Sequence, residues 1–239
     1  MLTLALAIVA SACGGDSSPT NPSGGGSTST FTGTIAGGAG QTGTLTVTID
    51  STTLSTVASI FRFPFVATLH AQSSTVPASG SLHLAGGSTT ALTGTYDSST
   101  KKITLSGGGF TFTGTIAGKV VSGNYTGPSG TTGGFATLNT SSGAVTTYCG
   151  NVFGSGNSAN QVTGVFNIAI GGSTVSGTFS VPPYSGFITG QTSGASFSIT
   201  YTDPAAGVSD TATGAVQGNS MSGVATTGNA FSGTTGGCQ

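Results

Sequence analysis

Few side chains in this sequence can perform acid, base, nucleophilic or metal chemistry. There are two histidines, His70 and His83, five aspartates with no glutamate, and three cysteines, Cys13, Cys149 and Cys238. A hydrolytic triad would have to be built from His70, His83 and Asp50 with one of many serines, and no G-x-S-x-G elbow exposes a nucleophile. Paired-carboxylate hydrolysis has no visible basis either. Asp97, Asp203 and Asp210 fall in turn-like stretches, where Asp bonds its own backbone. In "SLHLAG", His83 takes the face opposite Leu82 and Leu84 and reads as a solvent-facing strand residue. "GAGQTG" (38–43) matches the dinucleotide spacing but leads into a strand instead of a helix, so it reads as a hairpin turn. The expectation is a non-catalytic protein with no cofactor, the alternative being a hydrolase with an unrecognised site.

The cysteines carry more information. An apolar run over residues 2–10 is far shorter than the roughly 20 residues that span a bilayer. It leads into "VASAC", which has the form of a secretion signal. This segment resembles the signal of bacterial lipoproteins, which implies cleavage after residue 12 and a lipid on Cys13. Residues 13–30, "CGGDSSPTNPSGGGSTST", then read as a lipidated cysteine and a flexible Gly/Ser/Pro tether. An odd cysteine in an exported chain needs an explanation, and lipidation supplies it. Cys149 and Cys238 are left to pair in an oxidising envelope. Two cysteines with only His70 and His83 in the chain make a poor zinc site, so no metal is expected.

Composition points the same way. Only 4% of the 239 residues are charged and 43 are glycine, against roughly 25% charged and 7% Gly in ordinary proteins. The cations are Arg62, Lys101, Lys102 and Lys119. That leaves no basic patch for a phosphate backbone and argues against nucleic acid. The address implied is the bacterial envelope, on the outer membrane or cell surface, held by the lipid anchor.

The elements that must position any site are strands. "TLTVTI", "FTFTGTI" and "SFSITY" alternate apolar residues with Thr or Ser at period two, and turn residues recur every eight to twelve positions. The chain also repeats itself. "FTGTIAG" occurs at 31–37 and again at 112–118; "TGTIAGKVVSG" (113–123) aligns on "TGAVQGNSMSG" (213–223). "LTGTYDSSTKKITL" (92–105) aligns on "ITGQTSGASFSITY" (188–201), and "SGTTGG" (129–134) on 232–237. Their common order marks a duplication. The organisation read from this is a first β-repeat at 31–138, a linker at 139–147 and a second β-repeat at 148–239. The fold class is all-β: two tandem antiparallel meanders of about eight strands each, closed as up-and-down β-barrels, with a β-sandwich as the alternative.

"ALTGTYDSSTKKITLSG" (91–107) resembles a strand-turn-strand segment of the avidin and streptavidin family, which implies a calycin-like barrel. With no tryptophan in the chain, biotin binding is not carried over to any residue. On this reading Cys149 lies in the first strand of the second repeat and Cys238 in its last, with Thr32 and Phe135 at the matching positions of the first. The first repeat also carries an insertion at 51–75, where Phe61, Phe63 and Phe65 alternate with Arg62, Pro64 and Val66, and His70 follows. Phe61, Arg62, Phe63, Phe65 and His70 are the candidate contacts for a small apolar or glycan ligand; the competing role is a plug on the first barrel. The function expected is an envelope-anchored lipoprotein whose barrels bind such a ligand or act as surface modules. Cys13→Ser is expected to move the protein from the membrane fraction into the soluble envelope or medium; unchanged membrane retention on fractionation would refute the lipidation reading.

Overall fold

The computed structural model describes residues 27–38, 41–50, 74–87, 89–156 and 160–238. The period-two alternation folds as the sequence dictates, into two closed antiparallel barrels of eight strands each. The first consists of β1 (Thr28–Gly37), β2 (Gln41–Asp50), β3 (Thr75–Leu84), β4 (Thr89–Asp97), β5 (Lys102–Gly107), β6 (Phe110–Ala117), β7 (Val120–Thr126) and β8 (Thr132–Asn139). The second consists of β9 (Val145–Phe153), β10 (Val162–Gly171), β11 (Thr174–Val181), β12 (Tyr184–Ser193), β13 (Ser196–Asp203), β14 (Val208–Gln217), β15 (Ser220–Ala225) and β16 (Ala230–Thr234). Every strand pairs with its sequence neighbour, and each barrel closes by pairing its last strand with its first. The first strands, β1 and β9, each start three residues ahead of the alternation in the sequence, because their leading Thr, Ser and Val residues join the ladder without adding a clear apolar signal.

Each interior is a close packing of aromatics over glycines. Gly114 lies opposite Gly123 across β6–β7, and Gly214 opposite Gly223 across β14–β15. All four point inward. An added Cβ would collide with the Phe135 ring at Gly114, with Phe197 at Gly214 and with Phe231 at Gly223. This is the purpose of the repeated T-G-T: threonines face outward while the glycine between them leaves room for a ring from another strand.

Register fixes the correspondence between the barrels. With Gly114 set on Gly214 and Gly123 on Gly223, the ladders place Phe135 on Phe231, Leu105 on Ile199 and Gly94 on Gly190. The pairing of 92–105 with 188–201 therefore holds in its first half and slips by two residues in its second, because β4 and β5 are joined by Ser98–Lys101 and β12 and β13 only by Gly194 and Ala195. The two "SGTTGG" segments are not equivalent: the first crosses a turn into β8, the second runs from β16 into the 3-10 turn Thr235–Cys238.

The closing seams differ. In the first barrel the β1–β8 ladder runs from Phe31 opposite Asn139 to Gly37 opposite Gly133. In the second, β9–β16 runs only from Val152 opposite Phe231 to Cys149 opposite Thr234. A disulfide joins Cys149 to Cys238 just beyond that shorter seam, with Cα atoms 5.0 Å apart. Cys149 is on the first strand as expected, but Cys238 is not in the last strand; it is in the 3-10 turn that follows. Thr32 does correspond to Cys149, whereas Phe135 corresponds to Phe231, because "SGTTGG" misaligns the final strands. The first barrel fastens its own 3-10 turn, Thr140–Ser142, with a hydrogen bond from Thr140 Oγ1 to the Thr30 carbonyl at 3.1 Å.

The barrels pack side by side through β1 and β8 of the first and β10, β11 and β12 of the second. The outward faces of those strands carry small residues, among them Ala36, Ala136 and Ala169, all buried. Gly134 faces Thr178 and Phe187, and Gly171 faces Leu138. Thr34, Asn167 and Thr178 are also fully buried on these outward faces, and their side-chain polar atoms have no hydrogen-bond partner among the described residues.

Because the disulfide supplements a short seam and closes a long loop, reducing it or making Cys149→Ala with Cys238→Ala should destabilise the second barrel by up to about 4 to 5 kcal/mol in the chain-entropy model. Chemical denaturation followed by hydrogen exchange should show the loss confined to β9–β16, with β2–β7 unaffected; an equal loss in both barrels, or none, would contradict this account.

Candidate functional site

The second barrel is open at one end. There Val152, Val181, Tyr184, Asp203, Val208 and Thr227 ring an interior cavity of about 200 Å³. Alternation along β13 sends Phe197, Ile199, Tyr201 and Asp203 inward in sequence, from the barrel's centre to its mouth. On β14 the inward series towards the mouth is Ala212, Asp210 and Val208. The floor and walls are apolar: Phe166, Phe179, Ile188, Ile199, Ala212 and Phe231. The rings of Phe166 and Phe231 meet edge to face at 5.1 Å, and those of Phe179 and Tyr201 at 5.6 Å.

The polar groups collect at the rim. The Tyr201 hydroxyl donates to Asp210 Oδ2 at 2.9 Å, the Thr211 amide donates to Oδ1 at 2.7 Å, and the Thr226 hydroxyl also donates to Oδ1. These donors, the Thr226 hydroxyl first, hold the Asp210 carboxyl below the usual range. Asp203 is 4% exposed. Its carboxylate accepts from the amides of Ser185 (3.1 Å), Ala205 (2.9 Å) and Ala206 (3.0 Å), which lower its pKa, Ala206 most. Burial chiefly pushes the Tyr201 phenol up. Val162, Tyr184, Val208 and Val224 are the exposed large hydrophobic side chains among the described residues, and of these Tyr184 and Val208 line the cavity mouth.

The same space in the first barrel is filled. The ladders set Phe110 on Asp210, Phe112 on Ala212 and Tyr125 on Ala225: Phe112 lies opposite Tyr125 just as Ala212 lies opposite Ala225. Phe112 and Tyr125 pack at 5.4 Å, Phe110 and Tyr125 at 6.1 Å, and Phe112 and Phe135 at 5.5 Å. The Tyr125 hydroxyl donates to Gln41 Oε1 at 2.8 Å across that end. Larger residues on other strands of the second barrel, Phe166 for Leu45 and Phe179 for Leu82, recover part of the lost volume. The remainder is the cavity.

The residues singled out in the sequence do not converge on this site. Cys13, Phe61, Arg62, Phe63, Phe65 and His70 lie outside the described residues. His83 is on the outward face of β3, with Nδ1 3.2 Å from Thr89 Oγ1. It stands opposite Thr44, six residues along β2 from Asp50, about 20 Å at strand spacing, so those two triad candidates are not brought together. Asp97 binds Ser99 and Thr100 in the β4–β5 turn, and its carboxyl is lowered mainly by the Ser99 hydroxyl. Asp203 does form a local turn, as expected. Asp210 does not: it is an inward strand residue tied to Tyr201. The cavity itself was missed, although extending the 113–123 alignment by a few residues at each end sets Phe110, Phe112 and Tyr125 against Asp210, Ala212 and Ala225. No protein family matches the chain, and no curated protein or solved structure is detectably similar to it.

Burial raises the Tyr125 phenol to about 12, while an unfolded tyrosine ionises near 10. Stabilisation from the neutral phenol is therefore complete below about pH 10 and lost as pH rises through about 12. Tyr125→Phe is expected to cost about 1 kcal/mol at neutral pH by removing the bond to Gln41 and to flatten this alkaline loss. Urea titrations of both proteins across the window check it; an unchanged alkaline slope in the variant would reject the assignment.

Proposed function

We propose that this chain is an envelope-anchored lipoprotein with two non-catalytic barrels, of which the second binds a small, largely apolar ligand inside its open end and the first is a filled structural partner. One observation carries the binding assignment: within a duplicated frame, the three aromatics that fill the first barrel are replaced by Asp210, Ala212 and Ala225 in the second. Leaving an apolar space open costs about 1 kcal/mol for even a methyl-sized void, so a retained cavity argues for a use. A 200 Å³ volume exceeds the roughly 150 Å³ of an apolar cavity known to take up benzene. The ligand thus has a hydrocarbon body of about that size. The lipid anchor at Cys13 rests on the "VASAC" signal and would hold the barrels at the membrane surface.

The test restores the first barrel's filling. In ligand-observed NMR, benzene should bind the wild-type chain, and Ala212→Phe with Ala225→Tyr should abolish binding while melting at no lower temperature. Absence of benzene binding in the wild type, or retention of binding by the filled variant, would overturn the reading.

A further inference from the structure

We infer that the ligand of the second barrel carries a positive charge, an organic ammonium group on a small hydrocarbon body; this deepens the binding reading above and rests on it. Two carboxylates line the mouth of an otherwise apolar cavity. Across β13–β14, Tyr201 is opposite Asp210 and Asp203 opposite Val208. Asp203 and Asp210 are therefore diagonal neighbours on the inward face, with backbones about 7 to 8 Å apart.

Both are held ionised by hydrogen-bond donors that carry no charge: backbone amides for Asp203, and the Thr226 hydroxyl, the Thr211 amide and the Tyr201 hydroxyl for Asp210. Among the described residues the cations are Lys101, Lys102 and Lys119. Lys101 and Lys119 lie on the β4–β5 and β6–β7 connections of the first barrel and Lys102 is the first residue of β5, all at the end away from the mouth of the second. The mouth thus presents two like charges with no cation among the described residues to offset them.

A bare metal ion would suit the carboxylates but not the apolar space beneath. A neutral hydrocarbon would suit the space but leave the charges uncompensated. An ammonium joined to a hydrocarbon satisfies both. The rings help as well: Tyr201 and Phe179 stand edge to face just inside the rim, and Tyr184 is at the lip. Aromatic faces attract cations, most strongly where water is excluded. The exposed Tyr184 and Val208 at the lip give an approaching amphiphile an apolar surface before its body enters.

The experiment compares three probes of one shape by calorimetry on the full chain: 2-phenylethylammonium, 2-phenylethanol and 3-phenylpropanoate. The ammonium should bind at least about tenfold more tightly than the alcohol, a difference of about 1.4 kcal/mol, and the carboxylate should not bind. Added salt should weaken the ammonium but not the alcohol. Asp210→Asn should erase the ammonium's advantage while leaving the alcohol's affinity in place. The salt comparison needs no variant, so it decides the matter even if Asp210→Asn misfolds. An alcohol that binds as tightly as the ammonium, or an ammonium affinity indifferent to salt, would overturn the charge assignment and leave the apolar cavity standing. Failure of all three to bind would overturn the binding reading too.

Discussion

The interior of an eight-stranded barrel is just wide enough for its own side chains to fill, and the rest of this molecule follows from how that limited space is divided. Glycines at facing inward positions, Gly114 with Gly123 and Gly214 with Gly223, thin the wall so that rings from other strands can lie across it. At Gly114, Gly214 and Gly223 the rings of Phe135, Phe197 and Phe231 occupy the space a side chain would take. The composition that looked like low complexity is a volume ledger written in two residue sizes, with threonine facing water between them. Changing three entries, the aromatics at 110, 112 and 125, to Asp, Ala and Ala at the corresponding positions turns a solid barrel into a hollow one without altering a single strand pairing.

The contact between the barrels obeys a different rule. Alanines and glycines let β1 and β8 approach β10, β11 and β12 closely, yet Thr34, Asn167 and Thr178 bring polar atoms into that contact without partners among the described residues. Asn167 and Thr178 are direct cross-strand neighbours. A buried polar group left unpaired costs on the order of 1 to 3 kcal/mol, so this interface is held by shape and by the short covalent connection at 140–144, more than by well-matched hydrogen bonding. These three residues continue the outward Thr/Ser/Asn pattern that suits a strand facing water, as if each barrel's surface had been built for exposure and then paired.

Much of this was legible in the residues. Period-two alternation and turn spacing gave sixteen strands in two closed meanders, and the common order of weak self-matches exposed the duplication. The partner of Cys149 followed from counting cysteines. What stayed hidden depended on register. "SGTTGG" repeats as letters but falls on different structural positions, and that misplaced Cys238 in a strand and matched Phe135 to Cys238 instead of Phe231. The two-residue difference between the β4–β5 and β12–β13 turns shifted the comparison of β5 with β13. A shift of two preserves which face a side chain occupies, so the error was silent: every residue still looked correctly inward or outward. The site was missed for a related reason. Residues rich in functional groups stand out in the sequence, whereas the informative change is a loss of bulk at Ala212 and Ala225.

The meander also sets an order of assembly. All sixteen strands pair with the strand just before or after them within their own barrel, and all ladders but the two seams join consecutive strands, so nearly all of the pairing can zip up through local hairpins, whose formation is fast. Only the seams β1–β8 and β9–β16 join distant parts of the chain, and loop-closure entropy must be met there before any contact forms. The first barrel, the earlier of the two in the chain, can complete its long seam alone and then offer β1 and β8 as a ready surface. The second, with fewer residues in its closing ladder, would assemble against that surface, the finished copy acting as a template for the hollow one.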